Sequence, residues 1–129
     1  PVDVVTADLS FISLTAVAPV LVGPIVVNGG DVVVLVKPQF EAGRAQVSRG
    51  RGVVRDPDTW LEALMAVASA LGAAGAAIMG AMASPVTGTA GNTEFLVHAL
   101  AGRPPAPEDR VRGLAEVAVA EAVTAARLR

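Results

Sequence analysis

Two short runs constrain this chain more than anything else in it: VDVVTA at residues 2–7 and VVVLV at residues 32–36. Both are rich in β-branched side chains and too uniformly apolar for a strand with one wet face. They read as strands buried on both sides, as in a parallel sheet. The first runs into Asp8-Leu9-Ser10 and the second stops at Lys37-Pro38, because proline has no N–H to give to a ladder. Two buried strands with polar tips make an α/β fold the first expectation.

The rest of the chain fits that expectation. Residues 14–27 are apolar, with Pro19 and Pro24, and predict an irregular helix that ends near the second proline. Asn28-Gly29-Gly30 is a turn signal. Residues 39–55 show no clear period and hold Gly43, Gly50 and Gly52, which predicts a long, basic, mobile loop. Asp56-Pro57 opens a helix as N-cap and first helical residue. Leu61, Leu64, Met65, Ala68 and Leu71 recur at helical spacing, and Gly72 is the predicted stop. Small side chains at 76–83 predict a strand, and residues 84–92 a glycine-containing loop. Residues 93–100 predict another strand before the break at Gly102-Arg103-Pro104-Pro105. A helix over 108–128 closes the chain, with acids at its start and arginines at its end, as its dipole favours. This order predicts half of a doubly wound sheet with flanking helices and a late antiparallel strand.

Composition removes several function classes. Apolar residues make up 53% and charged residues 17% of the 129, far from a disordered chain. With no cysteine there is no disulfide scaffold and no thiolate metal site, and a reducing cytoplasm is the simplest compartment. The net charge of −2 excludes a strongly basic nucleic-acid coat, so any RNA contact is local. Residues 63–83 carry no charge over about a bilayer's width. Most are Ala and Gly, however, and Gly72, Gly75 and Gly80 interrupt the run, so no membrane span is expected.

Ligands of open α/β sheets bind beyond the carboxyl ends of the strands. Asp8 and Lys37 both stand there, and neighbouring strands would bring them to one crevice. Glu94, one residue into the predicted fourth strand, would be expensive to bury without a cation such as Lys37. Burial disfavours a charged lysine and nearby carboxylates favour it, a balance that suits a proton acceptor. A plainer account of the same residues has Asp8 capping the next helix, Lys37 reaching out to solvent and Glu94 on an exposed edge. Ser10, Phe11 and Asn92 flank these groups and are placed to line a pocket, but they read first as a hydroxyl cap, a core aromatic and a turn. Arg44, Arg49, Arg51 and Arg55 are suited to RNA phosphates and equally to a solvated loop. His98 has no second ligand, so it reads as a core or surface histidine. Trp60 is expected to pack near the start of its helix.

Four segments, ADLSFISL at 7–14, VKPQFE at 36–41, GVVRDP at 52–57 and GNTEF at 91–95, resemble in order and spacing the TlyA (hemolysin A-like) family of FtsJ-type methyltransferases. The resemblance runs from Val2 to about Leu100. It implies a Rossmann-like domain that uses S-adenosylmethionine to methylate ribose 2′-hydroxyls of ribosomal RNA, behind a small S4-type RNA-binding domain. The family uses a Lys-Asp-Lys-Glu constellation. By position, Asp8 matches its aspartate, Lys37 its second lysine and Glu94 its glutamate. Its first lysine, glycine-rich cofactor loop and cofactor-ribose acid would lie before Pro1.

Residues 1–129 therefore read as a partial methyltransferase domain, the C-terminal half, inactive alone, whose partners are ribosomal RNA and the missing N-terminal half. The resemblance implies Lys37, Asp8 and Glu94 as catalytic residues, Asp8, Ser10 and Phe11 at the cofactor, and no metal. Two alternatives stand beside it: a membrane-active hemolysin, and a non-catalytic module that dimerises through an uncovered sheet edge.

Overall fold

A computed structural model describes residues 1–129, and its elements run β1 Val2–Ala7, α1 Leu14–Val22, β2 Val26–Val36, α2 Pro38–Glu41, α3 Arg44–Arg49, α4 Pro57–Ala73, β3 Ala76–Ala83, β4 Phe95–Ala101 and α5 Glu108–Leu128. The four strands form one mixed sheet in the order β1-β2-β4-β3. β1 and β2 are parallel neighbours, as the two apolar runs suggested. β4 then enters between β2 and β3 and runs antiparallel to both. The α/β class and the late antiparallel strand are thus as expected.

Burial on the strands alternates with period two. Val5 and Ala7 on β1, Val32, Val34 and Val36 on β2, Phe95, Val97 and Ala99 on β4, and Ala76 and Ile78 on β3 are all buried. Register keeps them on one face: Val32 pairs with Val5 and Ala99, and Val34 with Ala7 and Val97. Against this face pack α1, α4 and α5, through Leu14, Ala18, Leu64, Val67, Leu71, Val111 and Ala118 among others. The opposite face has no helix of this chain over it. Val2 and Val4 are 51% and 53% exposed there, and Val33, Leu35 and Leu96 are half-buried. Burial on both faces, read from the uniform runs, is therefore corrected: the apolar surface is present, but this chain covers one side of it.

Local chemistry explains most element ends. Ser13 caps α1 by accepting the Thr15 N–H, and Gly23 ends it by donating to the Pro19 carbonyl just before Pro24. Residues 26 and 27 belong to β2, not to that helix. The Asn-Gly-Gly signal sits inside β2: Val2 pairs with Val26 and Val4 with Asp31, so the intervening residues loop out as a bulge. Gly30 is needed in it, because a Cβ would overlap the Val26 side chain and crowd the Val27 and Asp3 carbonyls. Asp56 caps α4 as predicted, through the Asp58 N–H. That helix continues past Gly72 to Ala73, and Gly75, at φ 107°, makes the actual reversal into β3. The uncharged stretch 63–83 is split by this turn, and no helix is long and apolar enough to cross a membrane.

The largest correction concerns residues 39–55. They hold two short helices, α2 and α3, separated at Ala42-Gly43. Their four and six residues are too few to show a helical period. Tertiary contacts hold the stretch. Val54 is buried, its carbonyl accepts the Trp60 indole N–H at 3.0 Å, and the Trp60 ring meets Phe95 edge-on at 5.9 Å.

Leu64 is 1% exposed at the centre of α4. Leu64→Ala is expected to cost about 2–5 kcal/mol, read as a lower urea midpoint with an unchanged slope. A loss below about 1 kcal/mol would mean that the core around α4 collapses to fill the space.

Candidate active site

β1 and β2 end side by side, and the polar tips that follow them meet. Lys37 Nζ lies 2.5 Å from Asp8 Oδ1 and donates to Ser10 Oγ at 3.3 Å. The two partners differ in environment: the lysine side chain is 13% exposed and the aspartate 68%. Lys37 is therefore mostly enclosed along its stem, and Asp8 meets solvent. So exposed a pair adds little to stability, at most about 1 kcal/mol, and its interest lies in where it puts an amine. The predicted juxtaposition of Asp8 and Lys37 is what the fold forms. Asp8 does not cap α1, since Ser13 does.

Glu94 is also at this end of the sheet, but not as predicted. It precedes β4 by one residue, and its backbone carbonyl accepts the Ser84 N–H at 2.8 Å. Its side chain is buried, and no ion pair joins it to Lys37. Its partner is neutral: Gln39 Nε2 donates to Glu94 Oε2 at 2.9 Å. The expected compensation by Lys37 is thus replaced by an amide two residues further along, on α2.

The loop 8–13 forms the rim. Phe11, at φ 63° and 90% exposed, sets its ring against Phe40 of α2, with centroids 4.9 Å apart. Its reading as a core aromatic is excluded by that exposure. Glu41, the last residue of α2, holds the other end of the loop: it accepts Ser13 Oγ at 2.5 Å and the Leu14 N–H at 2.8 Å. A carboxylate there satisfies a free donor at the start of α1. Sequence reasoning missed Gln39, Phe40 and Glu41 as separate contributors, although all three lie in the VKPQFE segment. The signal was their place one turn beyond a strand-end lysine.

Asn92 is neither a pocket residue nor a simple turn. It is 2% exposed; its Oδ1 accepts the Val54 N–H at 3.0 Å, and its Nδ2 donates to the carbonyls of Gly52 and Thr89. One side chain thereby ties the arginine-bearing stretch to the loop before Glu94. Arg44 and Arg49 on α3, Arg51 in the turn after it and Arg55 just before the cap of α4 are all exposed. None forms an ion pair within the chain. His98 lies on the uncovered sheet face and pairs with Asp31 at 2.7 Å, away from this cluster.

The comparison with known families follows this geometry. Residues 1–100 match the model of the FtsJ-like methyltransferases. The chain belongs to that family. It is 48% identical over 96 residues to the 16S/23S rRNA (cytidine-2′-O)-methyltransferase TlyA of Mycobacterium tuberculosis, a match covering 74% of this chain and 35% of the relative. It is 38% identical over 97 residues to Hemolysin A of Brachyspira hyodysenteriae, covering 74% and 39%. A solved structure from Streptococcus thermophilus that carries a hemolysin name superimposes with a TM-score of 0.81 at 35% identity, over 97% of this chain and 45% of that one. The chain spans between a third and two fifths of the length of these curated relatives. The Asp8–Lys37 pair and Glu94 all lie within the matched residues.

Asn92→Ala leaves buried groups of the 52–54 stretch without partners, at about 1–3 kcal/mol. Trypsin is expected to cut after Arg49 and Arg51 several-fold faster in that variant. Unchanged cleavage would show that Trp60 and Val54 hold the stretch without Asn92.

Proposed function

We propose that the complete protein containing this chain methylates ribose 2′-hydroxyls of ribosomal RNA from S-adenosylmethionine, with Lys37 as its proton acceptor. The chain alone supplies acid–base residues and is inactive. The observation that carries this reading is the largely buried Lys37 side chain whose amine is held against Asp8 at the carboxyl ends of two parallel strands, in a chain of the FtsJ-like family.

The residues present fit the cofactor's open end. The exposed Asp8 carboxylate is a partner for a cationic amino-acid group, and the nearly free Phe11 ring is a surface on which a flat heterocycle stacks. Ser10 stands between them as a donor or acceptor. When bound, the cofactor supplies a methyl group on a positively charged sulfur. Everything else is positioning and proton management. Lys37 Nζ, fixed by Asp8 and Ser10, holds the attacking hydroxyl. The proton of the attacking hydroxyl would pass to the Lys37 amine in its neutral form, while the oxygen takes the methyl group and the broken carbon–sulfur bond leaves a neutral thioether. Glu94 contributes a carboxylate beside Gln39 of α2. The chain lacks a glycine-rich phosphate or cofactor loop of its own, and that is why it is proposed to be inactive by itself.

The exposed arginines of residues 44–55 are assigned to RNA phosphates beside the site, where each contact steepens the dependence on salt. The uncovered sheet face is assigned to the preceding half of the same protein, in place of a second copy.

The first expected outcome is that the complete protein transfers labelled methyl groups to ribose 2′-oxygens of ribosomal RNA, that Lys37→Ala lowers this at least about a hundredfold, and that residues 1–129 transfer none. An active Lys37→Ala protein would remove the lysine from the reaction. Second, replacing the four arginines by glutamine is expected to lower the slope of log affinity against log salt by about 1–3 units. An unchanged slope would place the RNA elsewhere. The hemolysin reading is tested by liposome dye release, for which none above background is expected.

A further inference from the structure

Glu94 is a buried carboxylate, 7% exposed, that takes no part in either ion pair of the chain. Such a group needs a donor aimed at it and a rigid surround. Gln39 provides the donor through Nε2 at 2.9 Å. It is itself 9% exposed, and its Oε1 is buried with no partner. An apolar residue at 39 would leave no such oxygen stranded, so the amide's one productive contact is with Glu94. Its orientation is fixed too, because the reversed amide would set oxygen against oxygen. Gly88 also stands against the carboxylate, so closely that a Cβ would overlap Glu94 Oε2, the oxygen that Gln39 holds. Its loop is held there by the Gly88 N–H, which donates to the Asn92 carbonyl at 2.7 Å.

We propose that Gln39 and Gly88 clamp the Glu94 carboxylate, Gln39 as a positioning residue that acts through Glu94 and Gly88 by leaving the space the carboxylate occupies. Gln39 follows Lys37 by two residues on the proline-headed α2. The turn that carries the amine thus also carries the group that holds the acid. Amine and acid are indexed to each other through one amide, without touching. The inference rests on the methyl-transfer reading.

The test uses the complete protein and ribosomal RNA, with Gln39→Met to remove the donor at nearly constant length. The expected result is a kcat lower by about ten- to a hundredfold, with KM for cofactor and RNA within about twofold. In a Glu94→Gln background the same substitution is expected to change kcat by less than about twofold, because a residue that acts through Glu94 has nothing left to position. A Gln39→Met protein with wild-type kcat overturns the proposal, as does an undiminished loss in the Glu94→Gln background. Gly88→Ala, which displaces the carboxylate and keeps the amide, is expected to lose kcat in the same way. It decides the matter should Gln39→Met fail to fold. A wild-type protein without methyl transfer brings down the functional reading and this inference with it. Activity in wild type with no effect of either clamp variant brings down the inference alone.

Discussion

The antiparallel register of β2 and β4 is the constraint on which the rest depends. Val36 pairs with Phe95, so the residues that follow one strand and precede the other, Lys37 and Glu94, arrive at the same end of the sheet. Buried side chains fix that register. A slip of one residue would turn Phe95, Val97 and Ala99 to the uncovered face and leave the helices without a floor. Core packing and site geometry are therefore one constraint: the same pairs that bury Val34 against Val97 bring Gln39 to Glu94.

Around this axis the site is built from neighbours that hold one another at several points. Glu41 ties the end of α2 to the start of α1, Asn92 ties the stretch at 52–54 to the loop before Glu94, and Trp60 joins both to the core through Val54 and Phe95. None of these contacts is strong alone, each neutral hydrogen bond contributing about 0.5–1.5 kcal/mol and one to the Glu41 carboxylate about 1.5–3 kcal/mol. Together they explain why the 39–55 stretch has a defined path despite three glycines and no hydrophobic period.

What the sequence made legible was local. β-branched runs gave β1 and the last five residues of β2, the Asp56-Pro57 pair gave the start of α4, and the apolar spacing gave its buried face. The strand-end positions of Asp8 and Lys37 gave their meeting. What it hid depends on distant contacts. The short helices α2 and α3 fall below the length at which periodicity shows. The Asn-Gly-Gly signal does not say whether it joins elements or bulges within one. A uniformly apolar strand tells of two faces fit for burial, not of which partner covers each. Glu94 was found from its odd place among apolar residues, but its amide partner was not, because a glutamine in sequence carries no sign of what it will meet.

The chain's last strand is also the one that lies inside its sheet. β1, β2 and β3 all precede β4 along the chain, yet β2 and β3 are separated in the sheet by the slot that β4 fills. As the chain lengthens from its N-terminus, the first three strands can pack on their helices with that slot open. Closing it joins residues far apart in sequence, the slow kind of step in folding. The carboxylate enters beside α2 only then, so the Asp8–Lys37 pair, carried by β1 and β2, can form before Glu94 joins it, and the full cluster exists only with the finished sheet.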